Sequence, residues 1–355
     1  MICIYKQTNT ILLDRSMKLL LTSFVSLSFK LLWIKDIKQP IDQFYTNNIC
    51  SKFGWTDVKG NVFQYNLTTE STQKIISNCL NLKEYKAINN NYSLLDYYSK
   101  DTMSISTSVI NEKHIRKFDW QDSTLYHTIY DDVYYRYNHF GDVFVKLLKD
   151  ETKRPYTLKL NSFFSKYEYL QKVCTIEDYI FVINNSNIVK VFKYKEGKIR
   201  LLYTMALVSS STIVKKFQIK KYGNFFQLCI LFHNHNRVDL ITLHYINDTK
   251  EMQFYNKNCI NVPCPEDPII DCDFISNVVC IFKRNRLIIY AYNPYRIESQ
   301  EICNRSMNFP YFTEVIWINN KLLLNNQAGG IIPYIAINSD FNSMLNKTSI
   351  IKIEK

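Results

Sequence analysis

The chain has 355 residues, of which 46% are apolar and 21% charged, so it is globular rather than disordered and long enough to bury a substantial core. Only seven Gly and eight Pro are present, and six of the glycines (Gly60, Gly141, Gly197, Gly223, Gly329 and Gly330) fall at expected turns, which excludes most glycine-rich phosphate or dinucleotide loops. A formal net charge of +12 favours anionic partners, whether acidic proteins, nucleic acid or a membrane surface, although a lysine-rich composition alone also produces it.

With 26 Tyr and 22 Phe among many Ile and Val, the composition leans towards strand. Strand-like runs begin at Ile2–Lys6 and Leu27–Trp33. Between them, Arg15 and Lys18 precede an uncharged run, Leu19–Phe29, that has the look of a signal-peptide core. That run is too short to span a membrane, Lys30 interrupts it and no small-residue cleavage site follows, so a buried strand pair is the expected reading. From there on, the pattern strand, short polar turn, strand recurs. Ile49–Thr56 turns at 57–60 into Asn61–Leu67, and Tyr92–Ser99 turns at 100–101 into Thr102–Val109. Val133–Tyr137 turns at 138–141 into Asp142–Leu148, and Tyr179–Ile183 turns at 184–187 into Ile188–Tyr194. Phe225–Phe232 turns at 233–237 into Val238–Tyr245, Asn277–Phe282 at 283–286 into Leu287–Asn293, and Lys321–Asn326 at 327–330 into Ile331–Ile337. Gly or Asn in most of these turns, between alternating apolar runs, is a hairpin signal.

The second strands are centred near residues 64, 105, 145, 191, 241, 290 and 334, a period of about 40–50 residues. A preceding strand fits most repeats (Glu84–Ile88, Leu125–Ile129, Leu170–Ile176, Ile213–Ile219, Ile269–Phe274, Glu314–Ile318). A following strand fits each (Gln73–Ile76, His114–Phe118, Tyr156–Leu160, Lys198–Thr204, Met252–Tyr255, Ile297–Ile302, Ile350–Ile353). Four strands per repeat, with no long helical period, predicts an all-β fold: a single β-propeller of about seven four-stranded blades. In this architecture the chain resembles the WD40-like β-propellers from about residue 39 onwards. The Gly-His and Trp-Asp dipeptides of that family are absent at the matching places, so no functional residue of the family carries over. Residues 1–38 are expected to close the ring or form a partial blade, with 39–355 as the propeller.

No Gly-x-Ser-x-Gly, His-Glu-x-x-His or Gly-x-x-x-x-Gly-Lys sequence occurs, and no enzyme, cofactor or metal site is expected. His233 and His235, with His244 nearby, read as a solvated turn rather than metal ligands, and Cys259, Cys264, Cys272 and Cys280 lack the paired spacing of a zinc site. The acidic pairs Asp131–Asp132, Glu177–Asp178 and Glu266–Asp267 read as turn residues, and the tyrosine pairs Tyr97–Tyr98 and Tyr134–Tyr135 as packing. Ten scattered cysteines, several within apolar strands, imply reduced thiols and a cytoplasmic or nuclear protein. Six Asn-x-Ser/Thr sequons (Asn66, Asn91, Asn184, Asn247, Asn304 and Asn346) are the argument for secretion.

The resemblance implies that turns between second and third strands share one face. Two consecutive turns would bring His233, His235 and Arg237 beside Lys283, Arg284 and Arg286, a candidate partner-binding patch for an acidic protein segment or a nucleic-acid backbone. The resulting expectation is a non-catalytic, monomeric propeller acting as a protein-interaction scaffold in a larger hetero-complex. The alternative is a propeller bound to RNA or DNA backbone.

Overall fold

The computed structural model describes residues 4–7, 27–36, 41–46, 52–57, 59–66, 69, 71–77, 79–87, 92–99, 104–111, 115–120, 124–130, 132–149, 152–195, 197–207, 213–233, 236–262, 269–275, 278–283, 286–292, 299–306, 312–318, 321–326 and 331–337. Within them are 29 strands, one 3-10 turn at Asn161–Phe163 and no α-helix. The strands form seven antiparallel sheets, six of four strands and one of five.

In chain order, β1 (Ile4–Gln7) and β2 (Leu27–Asp36) precede a first sheet of β3 (Ile41–Thr46), β4 (Lys52–Asp57), β5 (Val62–Asn66) and β6 (Ser71–Ile76). The next sheet holds β7 (Cys79–Ala87), β8 (Ser93–Ser99), β9 (Ser104–Ile110) and β10 (Ile115–Trp120), followed by β11 (Tyr126–Tyr130), β12 (Val133–Tyr137), β13 (Asp142–Leu147) and β14 (Tyr156–Lys159). Then come β15 (Leu170–Ile176), β16 (Tyr179–Asn184), β17 (Ile188–Lys195) and β18 (Lys198–Ala206), and β19 (Val214–Tyr222), β20 (Phe225–Phe232), β21 (Arg237–Ile246) and β22 (Glu251–Asn261). A further sheet contains β23 (Asp271–Ile275), β24 (Val278–Lys283), β25 (Arg286–Tyr292) and β26 (Ser299–Ser306). The last three strands, β27 (Phe312–Ile318), β28 (Lys321–Asn326) and β29 (Ile331–Ile337), take β2 as their fourth neighbour and β1 as the fifth. The register Phe29↔Ile337 to Trp33↔Pro333 covers the edge of β29 with a strand from the start of the chain. The expected strand Ile350–Ile353 lies outside the described residues.

The chain divides into two compact units, each considered by itself. One holds the β7–β10, β11–β14, β15–β18 and β19–β22 sheets, and the other holds the β3–β6 and β23–β26 sheets with the five-stranded sheet. In the first unit, neighbouring sheets bury their faces on one another. Phe181, Val189 and Val191 of one sheet meet Phe226, Leu228 and Ile241 of the next, all at 0–1% exposure. Burial of each such side chain contributes roughly 1.5–3 kcal/mol, so these interfaces are where the stability of the repeats resides.

Three devices recur from sheet to sheet. Between first and second strands, the turn carbonyls of Asp132, Asp178 and Asn224 accept from the amides of Leu148, Tyr194 and Tyr245 at 2.7–2.8 Å. The same turns hold Asp132, Glu177 and Gly223 at positive φ, as two-residue hairpin turns require. Between second and third strands, Asn138 Oδ1 accepts from the amides of Phe140 and Asp142, and Asn184 Oδ1 accepts in the same way from Ser186 and Ile188. Both turns place their fourth residue at positive φ, Gly141 at 85° and Asn187 at 56°. Finally, first strands carry a register shift near their start (β3, β7, β15, β19 and β27), and fourth strands β18, β22 and β26 one in mid-length. Bulges on the outermost strands increase twist and blunt edges that would otherwise pair with another chain.

Candidate functional site

In the first unit, the end of the sheets at which second and third strands are joined also carries the segments linking one sheet to the next. The segment from β14 to β15 is built as a fixed loop. Its 3-10 turn closes with the amides of Phe163 and Phe164 on the carbonyls of Leu160 and Asn161. The Lys190 ammonium, on β17 and 9% exposed, donates to the carbonyl of Phe163 at 2.6 Å, pairs with Glu168 at 3.3 Å and lies 4.3 Å over the Phe164 ring. Glu168 also accepts from the amide of Ser165. Asn185, in the β16–β17 turn, accepts from the amide of Tyr169 and donates to the carbonyl of Tyr167. On the other side, Leu170 donates its amide to the carbonyl of His139 at 2.9 Å, and Leu160 donates to Gly141 at 2.8 Å.

These bonds hold the β12–β13 turn, the β14–β15 loop and the β16–β17 turn as one backbone framework. The side chains it presents are large and apolar: Phe140 is 71% exposed, Tyr167 82% and Tyr169 49%. A little further along the same end, Ile213 is exposed as well, and its carbonyl accepts from the amide of His233. An ordered backbone therefore holds three aromatic rings largely in water at this end.

The sequence-predicted site residues are placed as follows. His233 is exposed immediately after β20. Arg237 is the first residue of β21, and its guanidinium grips Asp239 through both Nε and Nη2 and donates to Cys259 Sγ at 3.4 Å. Asp239 is fully buried and also accepts Lys257 Nζ at 2.9 Å. The hydrogen bond to Asp239, ahead of its charge, raises the Arg237 pKa further, so this arginine is committed within the sheet. In the other unit, Lys283 and Arg286 are not turn residues: they end β24 and begin β25 as directly opposed partners. The ladder runs one pair further than the polar sequence suggests, and Lys283 is buried while Arg286 is exposed. His235 and Arg284 lie outside the described residues.

The other candidates are absorbed by structure. His244 is at the opposite end of β21 from His233, stacked on Phe225 at 4.3 Å, and no metal-holding cluster occurs among the described residues. Cys79, Cys174, Cys229, Cys259, Cys272 and Cys280 are free thiols, and burial pushes that of Cys79 up to about 12. Asp132 pairs with Lys149, Asp178 with Lys193 and Glu177 with Lys221. The Tyr97 hydroxyl meets Ser108, and Tyr134 packs on Phe118 at 5.4 Å. The sequon residue Asn184 is fully buried and its Oδ1 shapes a turn, so it is no glycan acceptor. No helix among the described residues is long and apolar enough to cross a membrane.

Sequence reasoning missed Phe140, Tyr167 and Tyr169. The available signal was aromatic residues inside polar connecting segments, Asn138–Asp142 and Asn161–Tyr169, where loop chemistry gives no reason for them.

No protein-family model matches the chain, and no curated protein matches it by sequence. Solved structures do resemble it. The Cps50 (Swd1) β-propeller domain of Myceliophteria thermophila aligns with a TM-score of 0.62 over 84% of this chain and 97% of that one, at 10% identity. A chain of a mitotic checkpoint complex aligns with a TM-score of 0.59 over 87% and 95%, at 9% identity. Hsv2 of Kluyvelomyces marxianus aligns at 0.54 over 81% and 89%, at 9% identity. At such identities the likeness concerns the fold alone, and the fold is a β-propeller of about seven antiparallel sheets.

Proposed function

We propose that this chain is a non-catalytic scaffold that holds another protein on the loop end of its β11–β14 and β15–β18 sheets. The observation that carries the reading is the exposure of Phe140, Tyr167 and Tyr169 on a backbone fixed by Lys190, Glu168 and Asn185. Aromatic side chains that lose little conformational freedom on contact dominate the energetics of protein interfaces, and a framework already in place leaves less ordering to be done on binding. Membership of a similar propeller chain in a mitotic checkpoint complex fits the same use of the fold. The free thiols of the described cysteines fit a reducing compartment, cytoplasm or nucleus.

The test is affinity purification of the tagged full-length chain followed by mass spectrometry, beside the Phe140→Ser/Tyr167→Ser double variant. Both substitutions lie on exposed side chains, so folding is expected to persist, with circular dichroism as the check. A defined set of co-purifying proteins, depleted in the double variant, is the expected result. Recovery of the same background from wild type, double variant and tag alone would remove the proposal.

A further inference from the structure

We infer that the segment received at this loop end is a short acidic peptide with apolar anchors, its carboxylates meeting Lys159 and Lys166 and its apolar side chains lying on Phe140, Tyr167 and Tyr169. This rests on the scaffold reading above and adds the chemistry of the partner. Among the described residues, the β11–β14 and β15–β18 sheets place two carboxylates at this end, and both are engaged. Glu168 is held by Lys190 and by the amide of Ser165, with 15% of its side chain exposed. Asp142 is half-buried, accepts from Asn138 Nδ2 at 3.3 Å and stands opposite Lys159 in the β13–β14 register, which leaves Lys166 as the cation at this end with no carboxylate directly opposite it in a ladder. Lys159 and Lys166 are exposed, Lys159 at the end of β14 and Lys166 beside Tyr167, whose ring lies 6.0 Å from its ammonium. With Glu168 spent on Lys190, the cations Lys159 and Lys166 outnumber the remaining carboxylate beside three exposed rings, which favours a chain carrying both acidic and apolar residues over a basic one.

Two other occupants fit less well. A second copy of this end would set like charges against each other. A nucleic acid would find aromatic rings to stack on but few cations to follow its phosphates, because Arg136 is buried over the Trp120 ring and Arg237 is held by Asp239. Backbone tracking of a strand draws on many phosphate contacts.

The experiment is selection of a random peptide phage library on the immobilised full-length protein, followed by fluorescence anisotropy of the recovered peptides. A short labelled oligo-dT runs in parallel. Variants are Lys159→Glu/Lys166→Glu, Phe140→Ser/Tyr167→Ser, and Arg154→Glu as a charge control on the far side of β14. Recovered peptides enriched in Asp and Glu together with Leu, Ile or Phe are expected, with about a tenfold loss of affinity in each double variant and none in the control. Peptides without acidic enrichment, or binding unaffected by the lysine reversals, would overturn the partner chemistry while co-purification still upheld the scaffold. Tighter capture of oligo-dT, abolished by the same two double variants, would assign the surface to single-stranded nucleic acid and overturn the inference. Recovery from the wild-type chain of nothing beyond the tag-alone background would sink both readings.

Discussion

Phe225 and Phe226 are adjacent on β20 and differ in what they touch, which makes them a direct test of where the stability of the repeats lies. Strand alternation sends Phe226 into the interface with the β15–β18 sheet, where it is fully buried with its ring 4.7 Å from Tyr179 and 5.4 Å from Phe181. Phe225 faces the other way, half-buried, stacked on His244 at 4.3 Å and edge-on to Tyr255 at 5.3 Å. Phe226→Ala removes a fully buried ring between two sheets and is expected to cost about 3–5 kcal/mol, the range for aromatic truncation in a packed core. Phe225→Ala loses a partly solvated stack and is expected to cost about 1–2 kcal/mol. With a urea dependence of roughly 3 kcal/mol/M, the unfolding midpoint falls by about 1–2 M for Phe226→Ala and by about 0.5 M for Phe225→Ala. Equilibrium urea unfolding followed by tryptophan fluorescence reads both, since Trp120 lies in the same compact unit. Equal midpoints for the two variants would refute the argument, because the sheet-to-sheet face would then contribute no more than the opposite one.

Two further outcomes follow from turn geometry and from buried phenols. Gly141 and Gly197 both have positive φ, but a Cβ on Gly141 would lie 3.2 Å from the backbone nitrogen of Asn161, whereas one on Gly197 meets nothing. Gly197→Ala is expected to lower stability by about 1–2 kcal/mol from the left-handed backbone alone, and Gly141→Ala by clearly more, with thermal unfolding as the measure and equal melting temperatures as the contrary result. Burial, then the charge of Glu301 and a hydrogen bond to it, pushes the Tyr290 phenol up to about 12, and burial raises that of Tyr137 as well. Between pH 10 and 12 the unfolded chain releases these protons before the folded one does, so stability attributable to them is intact below pH 10 and falls as the pH rises through that window. Urea midpoints measured across it, compared with Tyr290→Phe, should show a smaller decline in the variant; parallel declines would remove Tyr290 from the account.

The repeat was legible because each sheet hides its faces on neighbours, and that demand writes apolar alternation into every strand. The strands Val133–Tyr137, Leu170–Ile176, Phe225–Phe232, Lys321–Asn326 and Ile331–Ile337 coincide with the pattern to the residue. Strand ends were less legible where charged residues extend a ladder. Lys283 and Arg286 read as a turn but pair across it, since a long aliphatic stem can lie along a sheet while its head reaches a polar partner. Arg237 read as a free cation, yet Asp239, two residues on and so on the same face of β21, grips its guanidinium; that Lys257 shares the same carboxylate is supplied only by the β21–β22 register. The aromatic loop end was missed for the opposite reason. Nothing in the period of a loop says whether its aromatic residues fold inwards, as Phe163 and Phe164 do on Phe192, or outwards, as Tyr167 does.

Of four aromatic residues in the segment 161–169, two pack on Phe192 beneath Lys190, and two stand in water. The inward pair and the Lys190–Glu168 bridge fix the loop, and the outward pair gains nothing in folding from being aromatic. Water-exposed apolar rings are a liability for solubility unless something covers them part of the time. A loop whose inner half is spent on immobilising its outer half is therefore best understood as a presenting element. Its rigidity has a measurable corollary: Lys190→Met would keep the packing on Phe164 but release Glu168, freeing a carboxylate beside Lys166. Binding of acidic peptides should then weaken although neither Lys159, Lys166 nor any exposed ring has been touched.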